Sequence, residues 1–404
     1  MLTIKEAMKI NPLRKTRLVG GKKGLNNVIK SVTVMEVPDI VHWIKGGEFV
    51  ITRFYFTKNV KLQLDILYEL KKYELKKWNA SGLAIKINKG SCIREELVRA
   101  ANEINFPLIE VPENITYLDI MTPLNHKIFE IEQYYNLVEE YIKSIIFHTY
   151  KNIENIIDRG KSLGYNLEKG FIYTICIDIS NLILKEKYNS IYVKNNIHEF
   201  INNILDELKI KNRIINYAVI RNINDVTVFI QIENKQNCKK IGKYVLGSIL
   251  KYISINYKKS DISIGIGNVL QGISGIEKGY EESKYAIKIG RVIYCEKNYY
   301  FYKDVELYSI FYKNYFNDIS SFARFILGEL VEDKELMDTI SMYYECNESI
   351  LNTSSKLFIH KNTLKYRLKN IEKITGLNIK NIDDKVKLYF GVIAYKIWKG
   401  KKRN

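Results

Sequence analysis

Lys361, Asn362, Lys365, Tyr366, Lys369 and Lys373 share one side of a helical repeat near the end of this 404-residue chain. Their chemistry is that of a nucleic-acid surface. Lysine ammonium groups reach phosphates or the O6/N7 edge of guanine, and a carboxamide can make two hydrogen bonds to adenine. By these rules Asn362 suits adenine, and Lys361 or Lys365 suits guanine. Lys356, Lys369, Lys373 and the tail Lys399-Gly-Lys-Lys-Arg403 suit phosphates. His360, Thr363 and Arg367 lie in the same stretch and complete the candidate contact set.

Such a face needs a buried counterpart and a partner helix. Leu364, Leu368, Ile371 and Thr375, spaced 4, 3 and 4, supply a single apolar stripe on the opposite side. A first helix is predicted from about Glu348 to Leu357, presenting Ile350, Leu351 and Leu357, with a turn through Phe358, Ile359 and His360. Two helices joined in this way form a helix-turn-helix, whose second helix suits the DNA major groove. From Ser354 to Asn404, 14 Lys/Arg stand against 3 Asp/Glu, a net +11 of the chain's +18. Charge gathered beside a helix pair is the electrostatic footprint of a nucleic-acid module. A solvated lysine-rich face would have the same composition, and the separation of faces favours the interface.

The stretch Ile359-His-Lys-Asn-Thr-Leu-Lys-Tyr-Arg-Leu368, followed by Ile371-Glu-Lys-Ile-Thr-Gly-Leu377, resembles the C-terminal helix-turn-helix of PucR-type regulators. These are bacterial transcription factors related in this module to sugar-diacid regulators. The resemblance extends through Leu327-Gly-Glu-Leu330, Thr339-Ile340 and Tyr343-Tyr344 to Tyr389 and Ala394. Ser354-Ser355 stands where the family usually has Thr-Ala.

Apolar residues make up 46% and charged residues 27%, as in a globular protein. The length allows two to four domains. The basic balance favours an anionic partner; no segment is long and apolar enough to span a membrane, and Met1-Leu-Thr-Ile-Lys-Glu-Ala7 lacks a signal-peptide core. Cys92, Cys176, Cys238, Cys295 and Cys346 are an odd number without C-x-x-C spacing, so reduced buried thiols and a cytoplasmic location are expected.

All five prolines fall within the first 124 residues. There Ser31–Met35, Glu48–Thr52, Gly82–Lys86 and Leu108–Val111 read as strands alternating with helices near 59–77 and 93–104. That alternation predicts an α/β domain with a largely parallel sheet. Gly20-Gly-Lys-Lys23 lacks phosphate-loop spacing and reads as a surface turn. Pieces such as Gly20–Leu25, Met35–Asp39, Trp43–Glu48 and Phe106–Pro112 are similar to the PucR N-terminal domain, which implies a small-molecule sensor.

Between Lys127 and Arg159, Ile128, Tyr135, Ile142, Thr149 and Ile156 recur every seven residues, interleaved with Ile131, Val138, Ile145 and Asn152. This pattern predicts a coiled-coil seam between two subunits, with Asn152 fixing register. A broad amphipathic helix packed on its own chain is the competing reading, because Leu137, Ile146, Phe147 and Ile153 widen the stripe.

Residues 165 to about 300 read β-α-β-β-α-β-α-β. Ser263-Ile-Gly-Ile-Gly267 and Gly279–Gly290 resemble the family's GGDEF-like middle domain. An active cyclase needs glycines and acids at its hairpin tip; here the tip is Arg221-Asn-Ile-Asn-Asp225, and Asp178 stands without a paired acid. Phosphoryl transfer relies on Mg²⁺ held by such acids. The five histidines, His42, His126, His148, His198 and His360, have no metal-ligand spacing. No catalysis, metal or cofactor is expected.

The fold class read here is multidomain α/β plus all-α. It comprises an N-terminal α/β sensor domain (1–124), a helical coiled-coil linker (125–162), a degenerate GGDEF-like α/β domain (165–300) and a C-terminal helix-turn-helix domain (318–404). The expected function is an effector-responsive regulator, homodimeric or of higher order, binding double-stranded DNA. It would control a catabolic or nitrogen-scavenging operon, purine breakdown being one case. The alternatives are a GGDEF-like nucleotide-binding or nucleotide-processing signalling protein and a generic RNA or polyanion binder.

Overall fold

The computed structural model describes residues 2–39, 44, 46–71, 79–184, 190–258, 261–294, 297–314 and 318–401. His42, Trp43, Cys295, Lys402 and Arg403, singled out above, lie outside them. The chain forms two compact units, Met1–Val138 and Glu139–Asn404.

The first unit begins with β1 (Leu2–Thr3) and α1 (Ile4–Ala7), then β2 (Arg17–Gly20), β3 (Val28–Ile29), β4 (Ser31–Val34) and β5 (Glu48–Thr52). It continues through α2 (Val60–Lys71), β6 (Gly82–Lys86), α3 (Glu95–Glu103) and β7 (Leu108–Val111) into α4 (Tyr117–Ile146). Every residue of β5 is buried, as expected of a central strand covered on both faces. Alternation along the strand sends Phe49 and Ile51 into the core shared with α1 and the start of α4, and Val50 into the core under α2 and α3. The sheet order is β2-β7-β6-β5-β4, parallel from β7 to β4. The antiparallel edge strand β2 is not among the strands expected from the sequence. Gly20-Gly21-Lys22-Lys23 turns back toward α3, and the Gly21 N–H donates to Asn102 Oδ1 at 2.9 Å.

The seven-residue repeat does not become a continuous seam. α4 stops at Ile146 because His148 takes a left-handed conformation (φ 51°). His148 N–H then bonds Ile145 O, and Thr149 N–H bonds Ser144 O, a Schellman ending that satisfies the last carbonyls. Asn152 is not a register residue: it caps the next helix, α5 (Ile153–Ser162), by accepting from Asn155 N–H. Val138, Tyr141, Ile142, Ile145 and Ile156 are buried within the chain itself. Those five positions pack as the competing reading expects, whereas Phe129, Tyr134 and Leu137, earlier on α4, are exposed.

The second unit contains β8 (Phe171–Asp178), α6 (Ser180–Leu184), α7 (Ser190–Ile210), β9 (Asn216–Arg221) and β10 (Asp225–Ile232). Then come α8 (Lys235–Asn256), β11 (Ser263–Ile266), α9 (Gly272–Ile293) and β12 (Tyr299–Phe301). The sheet order is β12-β11-β8-β10-β9. Helix α9 lies directly on β11: a Cβ at Gly265 would sit 1.9 Å from Ser283 O, so only glycine permits the approach. The short helices α10 (Tyr302–Val305) and α11 (Ser309–Asn314) lead to α12 (Ile319–Leu327), α13 (Lys334–Glu345), α14 (Ile350–Lys356), α15 (Lys361–Thr375) and α16 (Ile382–Lys401). Ala286 and Ile289 of α9 share one core with Ala323 of α12 and Ile393, Ala394 and Ile397 of α16. The C-terminal helices are thus welded to the middle sheet domain. Cys176, Cys238 and Cys346 are buried and unpaired, whereas Cys92 is exposed, against expectation.

Candidate nucleic-acid interface

Local chemistry builds the helix pair. Asp333 caps α13 by accepting from Leu336 N–H at 3.0 Å. Asn347 (φ 51°) closes that helix, with its N–H on Tyr344 O and Glu348 N–H on Tyr343 O. Ser349 then caps α14, accepting from Asn352 N–H. Thr353 and Ser354 are buried, and their hydroxyls bond Ser349 O at 2.7 Å and Leu351 O at 3.0 Å. Buried hydroxyls are tolerated when so satisfied, which explains why serine is accepted in this helix.

The turn is another Schellman motif. Phe358 N–H bonds Ser355 O, and Ile359 N–H bonds Ser354 O, with Phe358 at φ 55°. This conformation ordinarily selects glycine or asparagine, yet here it holds a phenylalanine that is 95% exposed. His360 caps α15, its Nδ1 accepting from Asn362 N–H at 3.2 Å. Leu364, Leu368 and Ile371 are buried against Leu336, Met337, Ile340, Leu388 and Val392. Thr375 is only partly buried, and its hydroxyl donates to Ile371 O. Gly376, left-handed at φ 69°, ends the helix.

The candidate residues divide into two groups. Lys356, His360, Lys361, Asn362, Thr363, Lys365, Tyr366 and Lys369 are all exposed. Arg367 is not: its guanidinium is tied to Glu335 and to Thr339 Oγ1 of α13. Lys385 pairs with Glu348 at 2.6 Å and Lys396 with Glu345 at 2.6 Å. Lys399 lies over the Trp398 ring at 4.8 Å. Among the described residues no ion pair engages Lys356, Lys361, Lys365, Lys369 or Lys373. Acids neutralise the cations on the flanks and leave the outer face of α15 uncompensated. That face can release counterions from a polyanion and carries one carboxamide among the ammonium groups. The internal role of Arg367 could not be read from residue order, because it depends on where α13 packs.

The middle domain holds a second group of charges. Asp178 and Asp225 are direct cross-strand partners on β8 and β10, so Asp178 does have a paired acid. Each is engaged from α9: Lys284 Nζ reaches Asp225 Oδ2 at 2.7 Å, and Arg291 Nη1 lies 3.4 Å from Asp178 Oδ2. Thr227 and Asn222 also donate to Asp225, and Ser180 donates to Asp178. The α9 cations stand where the acids could otherwise attract a metal ion.

Residues 6–128 match the purine catabolism regulatory protein-like family, residues 150–289 a GGDEF-like domain, and residues 336–394 the PucR C-terminal helix-turn-helix domain. The purine catabolism regulatory protein of Bacillus subtilis (strain 168) is 21% identical across 96% of this chain and 98% of its own length. The carbohydrate diacid regulator of Escherichia coli (strain K12) is 31% identical across 33% of this chain and 35% of its own. The proline-responsive transcriptional activator PutR of Bacillus subtilis (strain 168) is 25% identical across 48% of this chain and 49% of its own. With the three domains in this order and one relative aligned almost from end to end, the chain belongs to the PucR family.

Proposed function

We propose that this protein is a DNA-binding transcriptional regulator of a catabolic operon, and that α15 enters the major groove. The observation that carries the reading is the exposed face of α15, whose lysines have no acidic partner among the described residues while the flanking cations are neutralised. Asn362 reads adenine, Lys361 and Lys365 reach guanine or phosphate, and Lys356 and Lys369 hold the backbone. His360, Thr363 and Tyr366 line the same surface, and the first amides of α15 face a phosphate. Phe358, on the turn leading into α15, presses on a thymine methyl or a deoxyribose. Arg367 contributes by fixing α15 to α13 rather than by reading bases.

The N-terminal domain binds a small-molecule effector. Two copies of the chain present their α15 helices to half-sites about one helical turn (~34–36 Å) or a multiple apart. The core common to α9, α12 and α16 supports direct transmission from the middle domain to the DNA-binding helices. The middle domain acts as a structural relay and not as a cyclase, a reading supported by the α9 cations on Asp178 and Asp225. The named relatives are a purine catabolism regulatory protein, a carbohydrate diacid regulator and a proline-responsive activator, which supports control of nutrient breakdown, nitrogen scavenging or purine use included.

Footprinting of the purified chain on DNA upstream of its own and neighbouring genes tests this reading. A protected, two-part site competed by the same duplex, and not by equal amounts of RNA, is expected. Equal competition by RNA would sink the assignment, and formation of a cyclic dinucleotide from guanosine triphosphate and Mg²⁺ would overturn the relay role.

A further inference from the structure

In open α/β sheets, ligands gather beyond the carboxyl ends of parallel strands. In the N-terminal unit, β5 ends at Thr52 and is followed by Arg53, while β6 ends at Lys86. The Arg53 guanidinium contacts Asn88 Oδ1 at 3.2 Å and Glu113 Oε1 at 3.4 Å, and it lies 5.1 Å from the Tyr55 ring centre. Its Nε is buried and has no hydrogen-bond partner. Lys86 Nζ is 5.7 Å from the Tyr117 ring, and no ion pair engages it among the described residues. Burial, and then the Arg53 charge, lower its affinity for a proton, against smaller opposing pulls from Glu113 and Asp119. Thr52 pairs with Ile85 on these parallel strands, so Arg53 and Lys86 leave neighbouring strand ends, with a guanidinium N–H left unanswered. Buried donors are ordinarily paired, so an orphan beside a second cation calls for an anion.

The surroundings narrow the class of anion. Glu113 is already in contact with Arg53 and would repel a phosphate dianion, while it can accept from a ligand N–H. Asn88 and Glu113 also form one wall of a cavity of about 620 Å³, whose other walls include Arg17 and Lys89. That volume suits a metabolite rather than a macromolecule.

We propose that the carboxyl edge of β5, β6 and β7 binds a small amino acid-like metabolite. Arg53 and Lys86 hold its carboxylate, Glu113 accepts its N–H groups, and the cavity receives the remainder. The proposal deepens the effector role assigned above to the N-terminal domain and gives that effector a chemical class.

The test uses the full chain without DNA, with L-alanine, L-glutamate, acetate and inorganic phosphate at matched ionic strength, followed by melting and titration calorimetry. At least one of the two amino acids should raise the melting temperature and bind. Lys86→Gln and Arg53→Gln should each weaken that binding tenfold or more. Without ligand, Lys86→Gln should melt no lower than the parent chain, because burial and the Arg53 charge both disfavour the ammonium it removes; this keeps the test open if Arg53→Gln folds poorly. Binding of phosphate but of neither amino acid would overturn the proposal. So would no binding by either amino acid, or unchanged affinity in Lys86→Gln. Loss of ligand binding leaves the DNA-binding assignment standing. An amino acid that binds at this edge and leaves affinity for the footprinted DNA unchanged would keep the site and refute its effector role.

Discussion

Phe358 joins two properties that rarely coincide, a left-handed backbone (φ 55°) and a side chain that is 95% exposed. A non-glycine residue in this conformation costs about 1–2 kcal/mol. Glycine would remove that strain, while its freer unfolded chain takes back about 0.4–1 kcal/mol. The ring buries almost nothing, so Phe358→Gly loses no packing in the free protein. The net expectation is a stabilisation of about 0.5–1 kcal/mol, seen as a melting temperature raised by a few degrees. Against DNA the sign reverses. Covering part of a phenylalanine ring at an interface contributes about 1–2 kcal/mol, so the same variant should bind a labelled target duplex about 5–30-fold more weakly. Phe358→Ala keeps the strained φ and loses only the ring; it should weaken DNA binding similarly without the gain in stability. Melting of the full chain and fluorescence anisotropy at fixed salt measure the two effects. Tighter folding with weaker binding is the signature of strain retained at a working surface. A glycine variant that melts lower, or binds DNA as tightly as the parent, would refute the reasoning.

Asn362→Ala should cost about 1–3 kcal/mol at the specific site and relax base preference there; an equal loss on random DNA, measured by competition, would remove its base-reading role. Lys369→Ala should weaken specific and random DNA alike and lower the salt slope by about one, so a salt titration with an unchanged slope would take it off the phosphate surface. Arg367→Ala should act through folding: without its contacts to Glu335 and Thr339, α15 loosens on α13, and melting should fall before any change in salt slope. Burial, reinforced by the Arg221 charge, holds the His198 imidazole down to a pKa of about 4, against 6.5 ordinarily. The unfolded chain therefore takes up this proton before the folded one does. Its contribution is complete above pH 6.5 and is lost as pH falls toward 4, by about 3 kcal/mol in all. Urea melts of His198→Gln and the parent should diverge from each other across that window, and parallel curves would rule the histidine out.

The C-terminal helix pair was legible without coordinates because its signals are local. A 4-3-4 apolar stripe and a cationic opposite face specify a helix with one side in and one side out, and Leu364, Leu368 and Ile371 are buried accordingly. The four parallel strands of the N-terminal domain were legible for the same reason, since each is a short run rich in apolar residues. Periodicity misled where it ran through a helix break: the heptads from Ile128 to Ile156 are real, but the left-handed His148 and the capping Asn152 split them between two helices. Pairing over distance was invisible too. The sequence showed Asp178 and Asp225 47 positions apart; strand register sets them opposite each other, and one face of α9 supplies a cation to each. Arg367 belongs to the motif's spelling, yet its partner Glu335 lies two helices and 32 residues earlier in the chain. Residue order determined which faces are apolar and which are charged, because helix and strand periods are properties of neighbouring residues. The tertiary structure decided which charges stay uncompensated, because ion pairing depends on groups that only folding brings within a few ångströms.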